Sequence, residues 1–126
     1  MEKNEAAELS ALKLAYVGDG VHTLFVREHV LKKEKGNMAK VAKEANKLCN
    51  AAAQQMAYFK ILDLLTEDEK SVAMRARNAN LHHGAKNFSI EEYRHATAFE
   101  AVVGYLYLTN QKEKLKKVLQ LSLEGK

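Results

Sequence analysis

The chain has no proline, no tryptophan, one cysteine and only six glycines in 126 residues. Without proline, no position is barred from a helix interior by a missing N–H. A lone Cys49 excludes an internal disulfide. The histidines do not supply a zinc site in its place. His82-His83 has no Cys or acidic residue nearby, and His22 and His29, seven apart, lack a third ligand. No apolar run is long enough to cross a membrane. The charged start, Met1-Glu2-Lys3-Asn4-Glu5, lacks the apolar stretch of a signal peptide. Together these absences predict a cytoplasmic protein with no membrane partner. There is no glycine-rich phosphate loop, no nucleophile elbow, and no repeat or linker, so residues 1–126 read as a single domain. Sustained apolar/polar alternation is also missing, which argues against strands.

What is there is abundant Ala, Leu, Lys and Glu, all good helix formers, with 47% hydrophobic and 29% charged residues. The expected fold class is all-α. The net charge of +4 and pI near 9.1 are compatible with a polyanionic partner without specifying one.

The pattern predicts a first helix from about Ala6 to Lys33, a break at Lys35-Gly36-Asn37 whose Asn37 can cap the next helix, and a second helix toward Leu65, interrupted near Asn50. Thr66-Glu67-Asp68-Glu69 and Ser89-Ile90-Glu91-Glu92 are capping boxes. They open helices that reach about Asn78 and Thr109, with a polar loop from Asn80 to Phe88 between them. A last amphipathic helix covers Lys112 to Leu123, its lysines on the wet face. The helix around Val102–Leu108 is apolar on nearly every side. It belongs at the centre of the domain or against a partner subunit.

Two carboxylates stand in the most apolar segments. Asp19 lies in Leu14-Ala15-Tyr16-Val17-Gly18-Asp19-Gly20-Val21, and Glu100 lies in Ala98-Phe99-Glu100-Ala101-Val102-Val103-Gly104. A buried carboxylate without a partner is costly. Two readings fit the spacing. Each acid pairs with a local Lys, Arg or His, or the two converge on a cation. Two carboxylates at one point repel, and hard oxygen ligands favour Mg²⁺ or Mn²⁺. Gly18 and Gly20 flank Asp19 inside a helix. Either another backbone or a ligand approaches there, or the glycines serve ordinary helix packing. Arg75 and Arg77, near a helix C-terminus, fit either phosphate contact or the helix dipole.

The Leu14–Val21 segment resembles the signature helix of ribonuclease III domains, and Thr97-Ala98-Phe99-Glu100-Ala101 resembles their second acidic motif. Arg75-Ala76-Arg77-Asn78-Ala79, Lys86-Asn87 and Tyr93-Arg94-His95-Ala96-Thr97, in that order, are similar to Mini-ribonuclease III, a catalytic domain without a double-stranded RNA-binding domain. The likeness spans roughly Leu9 to Leu121. It implies a helical homodimer that cleaves double-stranded RNA with Mg²⁺ (Mn²⁺ as substitute). It also implies Asp19 and Glu100 as the catalytic, metal-holding pair, and maturation of the 23S ribosomal RNA precursor stem, assisted by ribosomal protein L3. Arg75, Arg77, Lys86 and Arg94 are the candidate RNA contacts, with Arg94 alternatively orienting Glu100. The chain departs from full-length ribonuclease III at Ala15 and Thr97, where that family has further acids. It departs from the Mini branch at Ala52 and Gly84-Ala85, where Lys and Pro are expected. The rival readings are a non-catalytic helical module that binds RNA or the ribosome, and a metal-dependent nucleotide phosphohydrolase. The latter lacks its usual His-Asp pair.

Overall fold

The computed structural model describes residues 1–79 and 88–124. Among these, every regular element is helical: α1 (Lys3–Glu8), α2 (Ala11–Lys33), α3 (Met38–Cys49), α4 (Ala51–Ile61), a 3₁₀ turn (Leu62–Leu64), α5 (Glu67–Arg77), α6 (Ile90–Leu108) and α7 (Lys112–Leu123).

Short polar side chains set most of the boundaries. The expected helix from Ala6 is in fact two helices. Ser10 adopts an extended conformation and its hydroxyl accepts the Lys13 amide at 3.1 Å, which starts α2 afresh. Asn37 caps α3 through Lys40, as its position implied. Asn50 both ends α3 and caps α4 by accepting from the Ala53 amide at 2.9 Å. Thr66 and Ser89 form full capping boxes with Glu69 and Glu92. Each such cap contributes on the order of 1 kcal/mol.

The apolar α6 is the central helix, surrounded by α2, α4, α5 and α7. Phe99, Ala101, Val102, Val103, Tyr105 and Leu106 are all buried within this one chain. The all-round apolar character therefore reports a core helix, and it needs no partner subunit to explain it. α7 closes the bundle with Val118 and Leu119, while Val26 and Val30 of α2 meet Ala45 of α3 in a smaller cluster. Two polar locks tie the outer helices down. Glu69, 2% exposed, meets Lys114 of α7 at 2.5 Å. His95 of α6 stacks on Tyr58, touches Phe59 edge-on and is hydrogen-bonded to Gln55 at 2.7 Å, all on α4.

Where α2 crosses α6 there is no layer of side chains. A Cβ on Gly18 would lie 1.7 Å from the Glu100 carbonyl oxygen, and one on Gly104 would lie 2.0 Å from that of Leu14. The contact is reciprocal, Leu14 and Gly18 of α2 against Glu100 and Gly104 of α6, backbone on backbone. Gly20, its equal in sequence, has nothing within 4 Å of its would-be Cβ. Gly20→Ala is therefore expected to stabilise the fold by about 1 kcal/mol through helix propensity alone. A rise in the urea midpoint checks this, and a drop would show that the position is not free.

Candidate active site

The glycine crossing determines where the two acids sit. Gly18 packs on the backbone of Glu100, so Asp19, the next residue, is brought beside the Glu100 side chain. The two carboxyl groups lie within hydrogen-bonding reach of each other. Asp19 is exposed on the surface, whereas Glu100 is half-buried. That corrects the expectation that both lie in apolar surroundings: only Glu100 does. Among the described residues neither acid forms an ion pair with Lys, Arg or His. Local pairing is thus not what compensates them.

Without a cation the pair is electrostatically unfavourable. Glu100 is pushed up from 4.5 to about 9, first by burial, then by the hydrogen bond and the charge of Asp19. A hydrogen bond from Gln54 opposes the rise. At neutral pH, with no cation bound, Glu100 therefore keeps its proton. A divalent cation would displace that proton and relieve the repulsion, and two carboxylates are hard oxygen donors of the kind Mg²⁺ takes. The residues present fit such an ion, and Asp19 and Glu100 would hold it. Among the described residues no group of three or more His, Cys, Asp or Glu converges at one point, so the protein donors to an ion here would be these two.

A pH dependence follows. Below about pH 4.5 Glu100 is protonated whether folded or unfolded, and its burial carries no charge penalty. Above about pH 9 it is ionised in both states and the folded state bears the full penalty. Stability of the metal-free protein should fall as pH rises through that window, because the folded state binds more protons than the unfolded one. Thermal unfolding in chelator at about pH 5.5 and about pH 8.5 checks this. Glu100→Gln should flatten the difference, and parallel curves for the two proteins would refute the assignment.

Three further polar side chains gather behind Glu100. Gln54 of α4 donates to Glu100 Oε2 at 3.3 Å and is hydrogen-bonded to His22 Nδ1 at 3.1 Å. His22 Nε2 meets Ser122 Oγ of α7 at 3.1 Å. His22 is pushed down to about 4, by burial, against the pull of the Asp19 charge. Sequence reading missed both His22 and Gln54. His22 was set aside for want of a third metal ligand. Gln54 follows three alanines, and a polar residue on such a stretch was the only signal of its burial. Cys49 is half-buried, packed against the Val26–Ala45 cluster, and close enough to the pair for both acids to act on its thiol. Its thiol is pushed up to about 11, by burial first and then by Asp19, against Arg27 and a hydrogen bond to Thr23. A groove of about 710 Å³ between α2 and α3, lined by Thr23, Leu24, Arg27, Leu31 and Cys49 among others, opens at this point.

The candidate RNA contacts are dispersed. Arg75 is exposed and donates to the Leu9 carbonyl at 3.3 Å, tying α5 to the α1–α2 turn. Arg77 is half-buried and its charge acts on Tyr58 and His95. Arg94 is exposed on α6. The hydrogen-bond partners of Glu100 among the described residues are Gln54 and Asp19, so the alternative duty of orienting Glu100 does not fall to Arg94. Lys86, Asn87 and Gly84-Ala85 lie outside the described residues. Ala52 lines a second groove with Lys47 and Lys60.

Comparison with known proteins shows the family and the fold. The ribonuclease III domain family matches residues 12–111, a span that includes both acids and both crossing glycines. The Mini-ribonuclease 3 of Thermoanaerobacter sp. (strain X514) is 37% identical over 98% of this chain and 87% of its own length. That of Clostridium tetani is 38% identical over 94% and 80%. A Mini-ribonuclease 3-like protein of Ilyobacter polytropus is 42% identical over 90% and 88%. A crystal structure of a Fusobacterium nucleatum protein superposes with a TM-score of 0.82 at 32% identity, covering 90% of this chain and 91% of that one. With its all-helical fold, its paired acids and this extent of similarity, the chain belongs to the ribonuclease III domain family, the endoribonucleases.

Proposed function

We propose that this protein is a Mg²⁺-dependent endoribonuclease of the Mini-ribonuclease III type, with Asp19 and Glu100 as its catalytic and metal-holding pair. The convergence of these two carboxylates where α2 crosses α6 is the observation that carries the reading. Mg²⁺ bound there supplies charge stabilisation at the scissile phosphate and activation of the attacking water. With Ala15 and Thr97 offering no carboxylate, the rest of its ligands would come from water and RNA phosphate. Products carry 5′-phosphate and 3′-hydroxyl ends.

Duplex RNA is read by shape, through phosphates and 2′-hydroxyls. Arg94, exposed on the helix that bears Glu100, and Arg75 and Arg77 at the end of α5 are the contacting residues proposed within the described structure, with Lys86 beyond it. The working form is a homodimer. Its support moves from α6 to α2, where Tyr16, Leu24 and Leu31 form one stripe at helical spacing, 82%, 61% and 66% exposed. The natural substrate is the stem of the 23S ribosomal RNA precursor, with ribosomal protein L3 as helper. The protein's proposed place of action is the cytoplasm; no helix among the described residues is long and apolar enough to cross a membrane.

The test is to incubate labelled precursor stem and an unrelated duplex with the protein, in Mg²⁺ and in chelator, with and without L3. Mg²⁺-dependent cutting of the stem is expected, with binding that weakens steeply as salt rises. Binding without any cutting would favour the non-catalytic module instead, against which the paired acids argue.

A further inference from the structure

Gln54, His22 and Ser122 are 4%, 0% and 7% exposed, and they come from α4, α2 and α7. A buried polar group without a partner is strongly unfavourable, and among the described residues none is left so. These three satisfy one another in a single file that starts at the Leu119 carbonyl and ends at Glu100.

The direction of the file is decided at its inner end. The Ser122 hydroxyl donates its one proton to the Leu119 carbonyl at 2.6 Å. Toward His22 it can only accept, so His22 carries its proton on Nε2. Nδ1 is then a bare acceptor, and the group facing it at 3.1 Å must be the amino end of the Gln54 amide. The second proton of that same nitrogen goes to Glu100 Oε2 at 3.3 Å. The ring cannot easily swing out of this role, since Phe99 packs edge-on against it at 4.9 Å.

A glutamine amide has two faces of opposite character. Its oxygen turned toward Glu100 would repel the carboxylate, and its amino end steadies it. His22 selects between them, because an acceptor at Nδ1 is compatible only with the amino end. We propose that His22, anchored by Ser122, holds the Gln54 amide with its donor toward Glu100, making His22 and Gln54 positioning residues for the metal-binding carboxylate. One oxygen of Glu100 is thereby fixed from the protein side, leaving the other for Asp19 and the cation. Asp19, exposed, has no comparable fixture among the described residues. The site is asymmetric: a held acid and an adjustable one. Residues that orient metal ligands in this way commonly change metal affinity about 10- to 100-fold when removed.

The proposal rests on Asp19 and Glu100 holding the metal, and the experiment separates the two ideas. Mn²⁺ binding to the RNA-free protein is read from the loss of the free-ion electron paramagnetic resonance signal. The proteins are wild type, Glu100→Gln, Gln54→Leu, His22→Leu, the double variant and His22→Asn, with far-UV circular dichroism as the folding check. Gln54→Leu is expected to weaken Mn²⁺ binding about 10-fold. His22→Leu should weaken it in the same direction. The double variant should be no worse than Gln54→Leu alone, since His22 acts through Gln54. His22→Asn offers an amide oxygen in place of Nδ1 and should recover much of the loss. With duplex RNA, kcat should fall and KM should not change. If His22→Leu does not fold, Ser122→Ala removes the anchor at a distance from Glu100 and carries the same expectation. Loss of binding in Glu100→Gln, with wild-type affinity in the Gln54 and His22 variants, overturns the positioning role and leaves the metal site standing. Additive losses in the double variant would also overturn it. No Mn²⁺ binding by the wild type would sink both ideas.

Discussion

Glu100→Gln lowers kcat for duplex RNA on the order of 10³-fold, with RNA binding retained, if the paired acids hold the catalytic metal. The substitution preserves shape but cannot carry the charge that draws a cation. Nor should it unfold the protein. The acid is pushed up to about 9 because its ionised form is penalised by burial and by Asp19, and a neutral amide escapes that penalty. Activity should disappear while thermal stability at neutral pH is unchanged or raised. Asp19→Asn acts on the exposed member of the pair, where removing a charge has little effect on folding. It should show the same loss of rate. Single-turnover cleavage alongside fluorescence anisotropy for binding measures both quantities. Either variant cutting within about tenfold of wild type would rule out the assigned role.

Gly18→Ala is expected to cause the larger structural damage. Its new methyl would need to occupy space 1.7 Å from the Glu100 carbonyl oxygen and 2.9 Å from the Gly104 amide nitrogen. Overpacking in a core ordinarily costs about 1–3 kcal/mol, because side chains rotate away. Here the obstacle is main chain, so α2 and α6 must separate along their seam. A loss above about 3 kcal/mol is expected, a large part of the roughly 5–15 kcal/mol typical of a domain. Cleavage should fall as well, since the same movement carries Asp19 away from Glu100. Gly104→Ala meets the Leu14 carbonyl at 2.0 Å and should behave alike. Urea unfolding measures the effect, with Gly20→Ala as the control. A midpoint near wild type for Gly18→Ala would refute the close crossing.

Much of this organisation was legible from the residues. Asn37, Thr66 and Ser89 were recognisable caps because a short polar side chain before a helical run has one obvious partner, the amide three residues on. Ser10 has the same chemistry and was overlooked, because the apolar periodicity runs through it from Ala6. The acids were legible as charges in unsuitable surroundings, and their common site came from the family likeness. Gly18 and Gly20 were indistinguishable in one dimension. Which of them meets a backbone depends on how α2 is rotated against α6. Gln54 and His22 were hidden for a related reason. A polar residue on an inward face reads as noise in a hydrophobic pattern, until the partner from another helix is known. Arg75 remained undecided between phosphate and helix dipole. The contact it makes is a third one, with the distant Leu9 carbonyl.

The backbone contact at Gly18 and Gly104 also bears on how this chain tolerates change. Helices separated by side chains slide and tilt when a core residue is exchanged, and the displacement spreads through the soft layer between them. α2 and α6 have no such layer where they cross. That point acts as a pivot. Exchanges in the Val26–Ala45 cluster can swing α3 about it while Asp19 and Glu100, seated at the fulcrum, hardly move. Sequence drift in α3 is thus mechanically decoupled from the chemistry. The same drift at either glycine is not.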